Sequence, residues 1–160
     1  MSYGNSYNRG NSQRRPETVE QHWSGYLRKG YLDSSGNLHL ELVGREQVEP
    51  LAKAMANGVP KLSTTQVRRY FGHVRALEAQ LLAAPETERA AVWRGIQADF
   101  AKLDSAASYA YANNEAKIPE LFWDFIKQNV KTVRTHDDFL KGFVPHFEAL
   151  VGFGVAHFSK

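Results

Sequence analysis

The chain has 160 residues, 42% of them hydrophobic, 12% aromatic and 23% charged. That length suits one domain, which at about 150 residues buries roughly 68–70% of its unfolded surface and needs no covalent staple. The absence of cysteine excludes a disulfide framework, a thiolate zinc site, an iron–sulfur cluster and a cysteine nucleophile, and it fits a reducing, cytoplasmic setting.

Residues 1–20 are Ser, Gly, Asn, Gln and Arg with two Tyr and almost nothing aliphatic. Such a stretch cannot bury enough apolar surface to offset its ordering entropy, so a disordered basic tail is expected there, with 21–160 as a single helical domain. Arg9-Gly10 with Tyr3 and Tyr7 has the composition of an RNA-contacting tail, although a plain flexible terminus explains it as well. The tail has no apolar core, so no secretory signal is expected, and no run in the chain approaches the ~18 apolar residues of a membrane span.

The cluster DSSGN at 33–37 predicts a turn. Leu38, Leu40 and Leu42 then alternate with His39 and Glu41, which suits a short strand or an extended lead-in. From there the apolar period is helical. Val48, Leu51, Ala52 and Met55 define a helix over 46–57, closed by Gly58 in a cap position. Ser63 and Gln66 form a capping box, followed by the stripe Val67, Tyr70, Phe71, Val74, Leu77 and Leu81. Pro85 suits the first position of the next helix, with Glu86 and Glu88 in its positive first turn. That helix uses Trp93, Ile96, Phe100, Leu103 and Ala107 and runs towards Asn113-Asn114. Pro119 opens another, over 118–134, with Leu121, Phe122, Phe125, Ile126, Val130 and Val133 inward. Thr135 caps the last, which carries Phe139, Phe143, Phe147, Leu150 and Phe158, and Pro145 should kink or split it near Lys141. The sum is an all-α fold, a compact bundle of about five helices on short connections.

No catalytic pattern emerges. His136-Asp137 is the dipeptide that helical phosphohydrolases place on a metal, yet residues 100–135 hold no further histidine, and Thr135 capping with acids behind it explains the pair. His146 and His157 are eleven residues apart, too far along one helix to share an ion. There is no Glu-x-x-His pair, no Walker loop and no G-x-S-x-G. The expectation is a chain with no catalytic residue, no metal and no cofactor. The Trp and Phe residues sit at helical spacing and read as core.

The formal charge of +3 is too small to diagnose a partner, but it is concentrated. Residues 61–80 hold Lys61, Arg68, Arg69 and Arg75 against Glu78 alone, so this one segment carries +3. Arg68 and Arg75 are seven apart, on one face and about 10 Å from each other along the axis. Lys127, Lys131 and Arg134 follow i, i+4, i+7 on the 118–134 helix, almost opposite its apolar stripe. Such faces suit a phosphate backbone, which Arg and Lys hold without reading sequence. A solvated basic face has the same spacing, so a helical protein–protein interaction module without direct nucleic-acid contact stays open as the alternative.

GYLDSSGNLHLELV, then the helix start Leu62 to Tyr70, the Ala/Tyr-rich helix end Ala106 to Tyr111, and Phe147-Glu148-Ala149 in a Phe-rich last helix occur in that order over roughly residues 25–158. In order and spacing they resemble the small subunit of the type III-A CRISPR Csm interference complex. Where that family often has Arg after the Ala/Tyr helix, this chain has Asn113 and Asn114. The resemblance implies a non-catalytic, all-α subunit stacked head-to-tail in copies along the guide RNA–target RNA path of an antiviral surveillance complex. It implies backbone and large subunits as partners, with RNA cleavage and cyclic-nucleotide synthesis belonging to them. On that reading Lys61, Arg68, Arg69, Arg75, Lys127, Lys131 and Arg134 meet RNA phosphates. Separately, residues 146–158 hold one charge, Glu148, and are rich in Phe, Val and Gly, so the last helix is expected to pack in the core or to dock on a partner copy.

Overall fold

The computed structural model describes residues 16–113 and 118–160. The described residues form six α-helices: α1 (Val19–His22), α2 (Arg45–Ala56), α3 (Thr64–Leu82), α4 (Arg89–Ala112), α5 (Glu120–Thr132) and α6 (Val144–Gly154). Short 3₁₀ turns precede α2 and α4, and a π-helical stretch, Asp138–Phe143, leads into α6. The all-α bundle is as expected, with one short extra helix at the start. Residues 1–15 of the expected tail and Asn114 lie outside the described residues. Residues 16–20 correct the expected boundary: Val19 is fully buried, because its backbone N–H donates to Asp124 Oδ2 (2.8 Å) and its side chain joins the core.

The α3 start is built as the residues dictate. Ser63 Oγ accepts from the Gln66 N–H (3.2 Å), and Gln66 Oε1 accepts from the Ser63 N–H (3.0 Å). Thr135 and Asp138 make the same reciprocal arrangement before the last helix. Thr135 Oγ1 accepts from the Asp138 N–H (3.0 Å), while Asp138 Oδ2 accepts from the Arg134 and Thr135 N–H groups (3.1 and 3.3 Å). Pro145 disturbs this helix near Lys141 but does not split it: helical residues run without a break from His136 to Gly154, through the π stretch Asp138–Phe143. It has no N–H to give and crowds the carbonyl four residues back, and the backbone resolves the conflict by widening to π geometry just before α6.

Three local expectations are corrected. Asp33 Oδ1 closes the 33–37 turn by accepting from Ser35 and Asn37 N–H groups, but only an isolated Leu32–Leu38 bridge follows, and Leu40–Leu42 is a 3₁₀ turn, not a strand. Pro85 precedes a 3₁₀ turn over Glu86–Glu88, and α4 starts at Arg89. Gly58 does not take the left-handed cap conformation. A Cβ there would come within 2.8 Å of the Pro119 Cβ, so glycine is needed for close approach to the α5 entrance.

The helices pack in a consistent order: α2 lies on α6, α3 lies between α4 and α6, and α4 lies along α5. Their shared centre is a run of rings. Phe143 meets Phe147 (5.6 Å between centroids), Phe147 meets Phe125 (5.4 Å), and Phe100 meets Phe139 (5.3 Å). Each such pair adds about 0.5–1.5 kcal/mol beyond the area it buries. The last helix spends most of its apolar surface inside the chain, with Val144, Phe147, Leu150 and Gly154 buried. Val155, just beyond it, stays half exposed.

Within this apolar centre sits a polar network that holds the segment before α2 onto α5 and α6. Asn129 Nδ2 donates to Tyr26 Oη (2.8 Å) and to the Phe125 carbonyl (2.8 Å). Tyr31 Oη donates to Asn129 Oδ1 (2.8 Å). Tyr26, having accepted from Asn129, donates its own proton to His146 Nε2 (2.7 Å), and His146 Nδ1–H donates to the Leu42 carbonyl (2.6 Å). Donor counting therefore fixes His146 as the neutral Nδ1–H tautomer. Burial agrees, pushing its pKa down to about 4. Among the described residues no buried side-chain N or O lacks a hydrogen-bond partner.

Candidate nucleic-acid interface

The seven basic residues do not converge on one patch. Antiparallel packing decides this. His73 Nε2 on α3 lies 3.1 Å from the Asp99 carbonyl on α4, and Arg69 lines the same groove as Lys102 and Ala106. At the other end, Trp93 Nε1 donates to the Arg134 carbonyl (3.3 Å). Arg69 is thus level with the second half of α4 and Arg134 with its first turns. The thirteen residues from Trp93 to Ala106 put roughly 20 Å of helix between the two groups. That exceeds the ~8–10 Å over which exposed charges feel one another at ordinary salt, so the groups act separately.

The first group starts with Lys61, exposed just before α3. Arg68 and Arg69 are exposed, with no ion-pair or hydrogen-bond partner for their guanidinium groups among the described residues. Arg75 differs. It pairs with Glu78 (2.8 Å) and with Glu148 of α6 (3.1 Å), and its guanidinium lies 4.7 Å from the Phe71 ring centroid. The two carboxylates, Glu78 foremost, raise its already high pKa further. Its charge is compensated from within the chain.

The second group is less regular than the spacing suggests. The α5 helix ends at Thr132, so Arg134 lies beyond it, its backbone held by Asp138 and Trp93. The expected 118–134 helix is therefore too long, and the i, i+4, i+7 line is broken at its last member. Lys127 leans back towards the helix N-terminus, as long helical side chains do. Its ammonium lies 4.6 Å from the Trp123 centroid and 3.7 Å from Asp124 Oδ1. Lys131 in the last turn, exposed, and the Arg134 side chain remain open to solvent. Trp123 is clamped further by a Tyr111 ring stacked at 4.5 Å and 12°, and its Nε1 donates to Ser108 Oγ (2.8 Å).

His136 Nε2 and Lys141 Nζ approach Asp137 Oδ1 at 3.5 and 3.7 Å, an ordinary helix-start cluster. Among the described residues no three His, Asp or Glu side chains are placed to hold a metal. No helix among them is long and apolar enough to cross a membrane. Two features have little or no signature in the sequence. One is the buried network around Asn129; a lone Asn inside the Phe122, Phe125, Ile126 stripe is its only signal, and Asn129 is fully buried while Val130, expected inward, is half-buried against the core. The other is the α3–α4 groove, which depends on helix pairing and has no signal in sequence.

No curated protein and no solved structure matches the chain. The family described as Csm2 Type III-A matches residues 44–158, so residues 25–43 of the resemblance fall outside the match. On that match, the chain belongs to the type III-A Csm2 family, the structural small subunit of the CRISPR Csm complex.

Proposed function

We propose that the protein is a non-catalytic RNA-binding subunit of a cytoplasmic type III-A antiviral surveillance complex, stacked in copies along the guide RNA–target RNA path and holding phosphates without reading bases. The observation that supports it best is the pair of open cationic groups at the two ends of α4. Arg68, Arg69 and Lys61 form one, and Lys131 and Arg134 the other. Two separated contacts suit a continuous polyanion better than a compact anionic ligand. Arg75 and Lys127 are weaker contributors, because an RNA phosphate would have to compete with Glu78, Glu148 and Asp124.

One isolated copy should bind weakly, since few phosphates are engaged, and repetition along one RNA raises affinity through effective concentration. The test is charge reversal, Arg68→Glu with Lys131→Glu, in chains assembled with the other Csm subunits. RNA affinity should fall for every sequence alike, and the salt slope should drop by about 0.7–0.9 for each phosphate that is no longer neutralised. The two single reversals should add, because the sites are too far apart to couple. Normal assembly with unchanged RNA affinity and salt dependence would instead make the protein a spacer held by protein contacts alone.

A further inference from the structure

Between α3 and α4 runs an open groove of about 400 Å³. Its floor is apolar: Leu103, Ala110 and the Tyr70 ring are buried there. It exists because α4 presents alanines, Ala106 and Ala110, where a larger side chain would close the gap between the helices. Arg69 stands on one wall and Lys102 on the other. Tyr109 forms the rim, 67% exposed, and its ring stacks on no other ring among the described residues. Its hydroxyl accepts from Asn113 Nδ2 (3.0 Å), whereas the Tyr111 ring, two residues on, is stacked on Trp123.

We propose that this groove receives one unstacked nucleotide of a bound RNA strand, its base on the apolar floor against Tyr109 and its phosphate between Arg69 and Lys102. The inference rests on the RNA-binding reading above and adds to it a preference for unpaired over paired nucleotides.

Charge complementarity selects the occupant. No Asp or Glu lines the groove among the described residues. Arg69 has no partner among them, and Lys102 has only an exposed pairing with Asp99 (3.2 Å), of a kind that costs little to give up. His73, which also lines the groove, gives its Nε2–H to the Asp99 carbonyl (3.1 Å). An apolar protein side chain would leave the two cations unanswered, and a duplex keeps its base faces stacked inside. A nucleotide whose base has left the stack matches the floor, the ring and the cations together. Its size is that of the ligands held by sites of about 300–1,000 Å³.

The test uses the full chain and two RNA probes, a perfect duplex and the same duplex with one unpaired nucleotide. In titrations by fluorescence anisotropy, the unpaired probe should bind about five-fold tighter or more, the lower end of what base–aromatic stacking supplies. Tyr109→Ala, at an exposed position, should abolish that preference while leaving duplex affinity unchanged. Ala106→Leu, which fills the groove from the α4 side, should do the same. Arg69→Gln should weaken both probes. With 2-aminopurine at the unpaired position, binding should quench its fluorescence in the parent chain and not in Tyr109→Ala. Equal affinity of the parent chain for the two probes, or a preference that survives both Tyr109→Ala and Ala106→Leu, overturns the groove assignment and leaves phosphate binding standing. Binding of neither probe overturns both readings.

Discussion

His146 makes the stability of this protein acid-sensitive in a defined window. Its ring is buried among Trp23, Phe125 and Tyr26, with Nε2 accepting from Tyr26 and Nδ1–H given to Leu42. The Tyr26 phenol that donates to it, and the Tyr31 phenol of the same network, are both pushed up by burial and therefore neutral. Burial lowers the His146 pKa from 6.5 to about 4. Below about pH 6.5 the unfolded chain takes up a proton that the folded chain refuses, so folding weakens as pH falls and the loss is complete below about pH 4. A tenfold change in proton affinity is worth about 1.36 kcal/mol, so this one group removes about 2 kcal/mol by pH 5 and roughly 3 kcal/mol at the limit. Urea unfolding at pH 7, 6 and 5 should register the fall. A His146→Gln chain, less stable throughout, should show a shallower dependence over the same range. In NMR the His146 ring should keep its neutral-form shifts down to pH 5. A ring that titrates near 6.5, or parallel pH curves for the two chains, would refute the buried neutral assignment.

Other perturbations probe the same architecture. Asn129→Leu keeps the branched shape of the side chain but removes the oxygen that Tyr31 Oη donates to; Tyr26 keeps its bond to His146, so the cost falls chiefly on Tyr31 and a drop of about 1–3 kcal/mol is expected in chemical denaturation. Gly142→Ala drives a Cβ into the Tyr31 ring; overpacking of this kind costs about 1–3 kcal/mol, and thermal melts should show it, while Gly95→Ala, with open space around it, should be neutral or stabilising. A chain trimmed to the family-matched span, starting at residue 44, loses Val19, Trp23, Tyr26, Tyr31 and Leu42 from the core. At about 1.5–3 kcal/mol for each large apolar side chain, the loss rivals the whole stability of a typical domain, and circular dichroism with near-ultraviolet signals should report a non-native chain.

Helix identity in this protein is a local property, and it is legible from local residues. Ser63 with Gln66, Thr135 with Asp138, and Pro145 each act on the backbone within four residues, so their effects stand in the structure where the spacing puts them. The apolar stripes are legible for the same reason: a 3.6-residue period needs no knowledge of the partner helix. What the stripes meet is not legible. Asn129 interrupts an apolar face and would read as a defect, until folding brings Tyr26 and Tyr31 from about a hundred residues away to satisfy it. The basic residues show the same divide. Their presence and helical spacing are plain, but whether a cation is open or already compensated depends on which helix lies beside it. Arg75 is closed by Glu148 of α6, Lys127 by Asp124, and Arg134 leaves its line because α5 stops at Thr132. The separation of the two open groups, and the groove between α3 and α4, follow from antiparallel packing around α4. Sequence by itself determines that there are faces; only the tertiary arrangement decides which of them remain free, because charge compensation and cavities belong to pairs of elements and not to single ones.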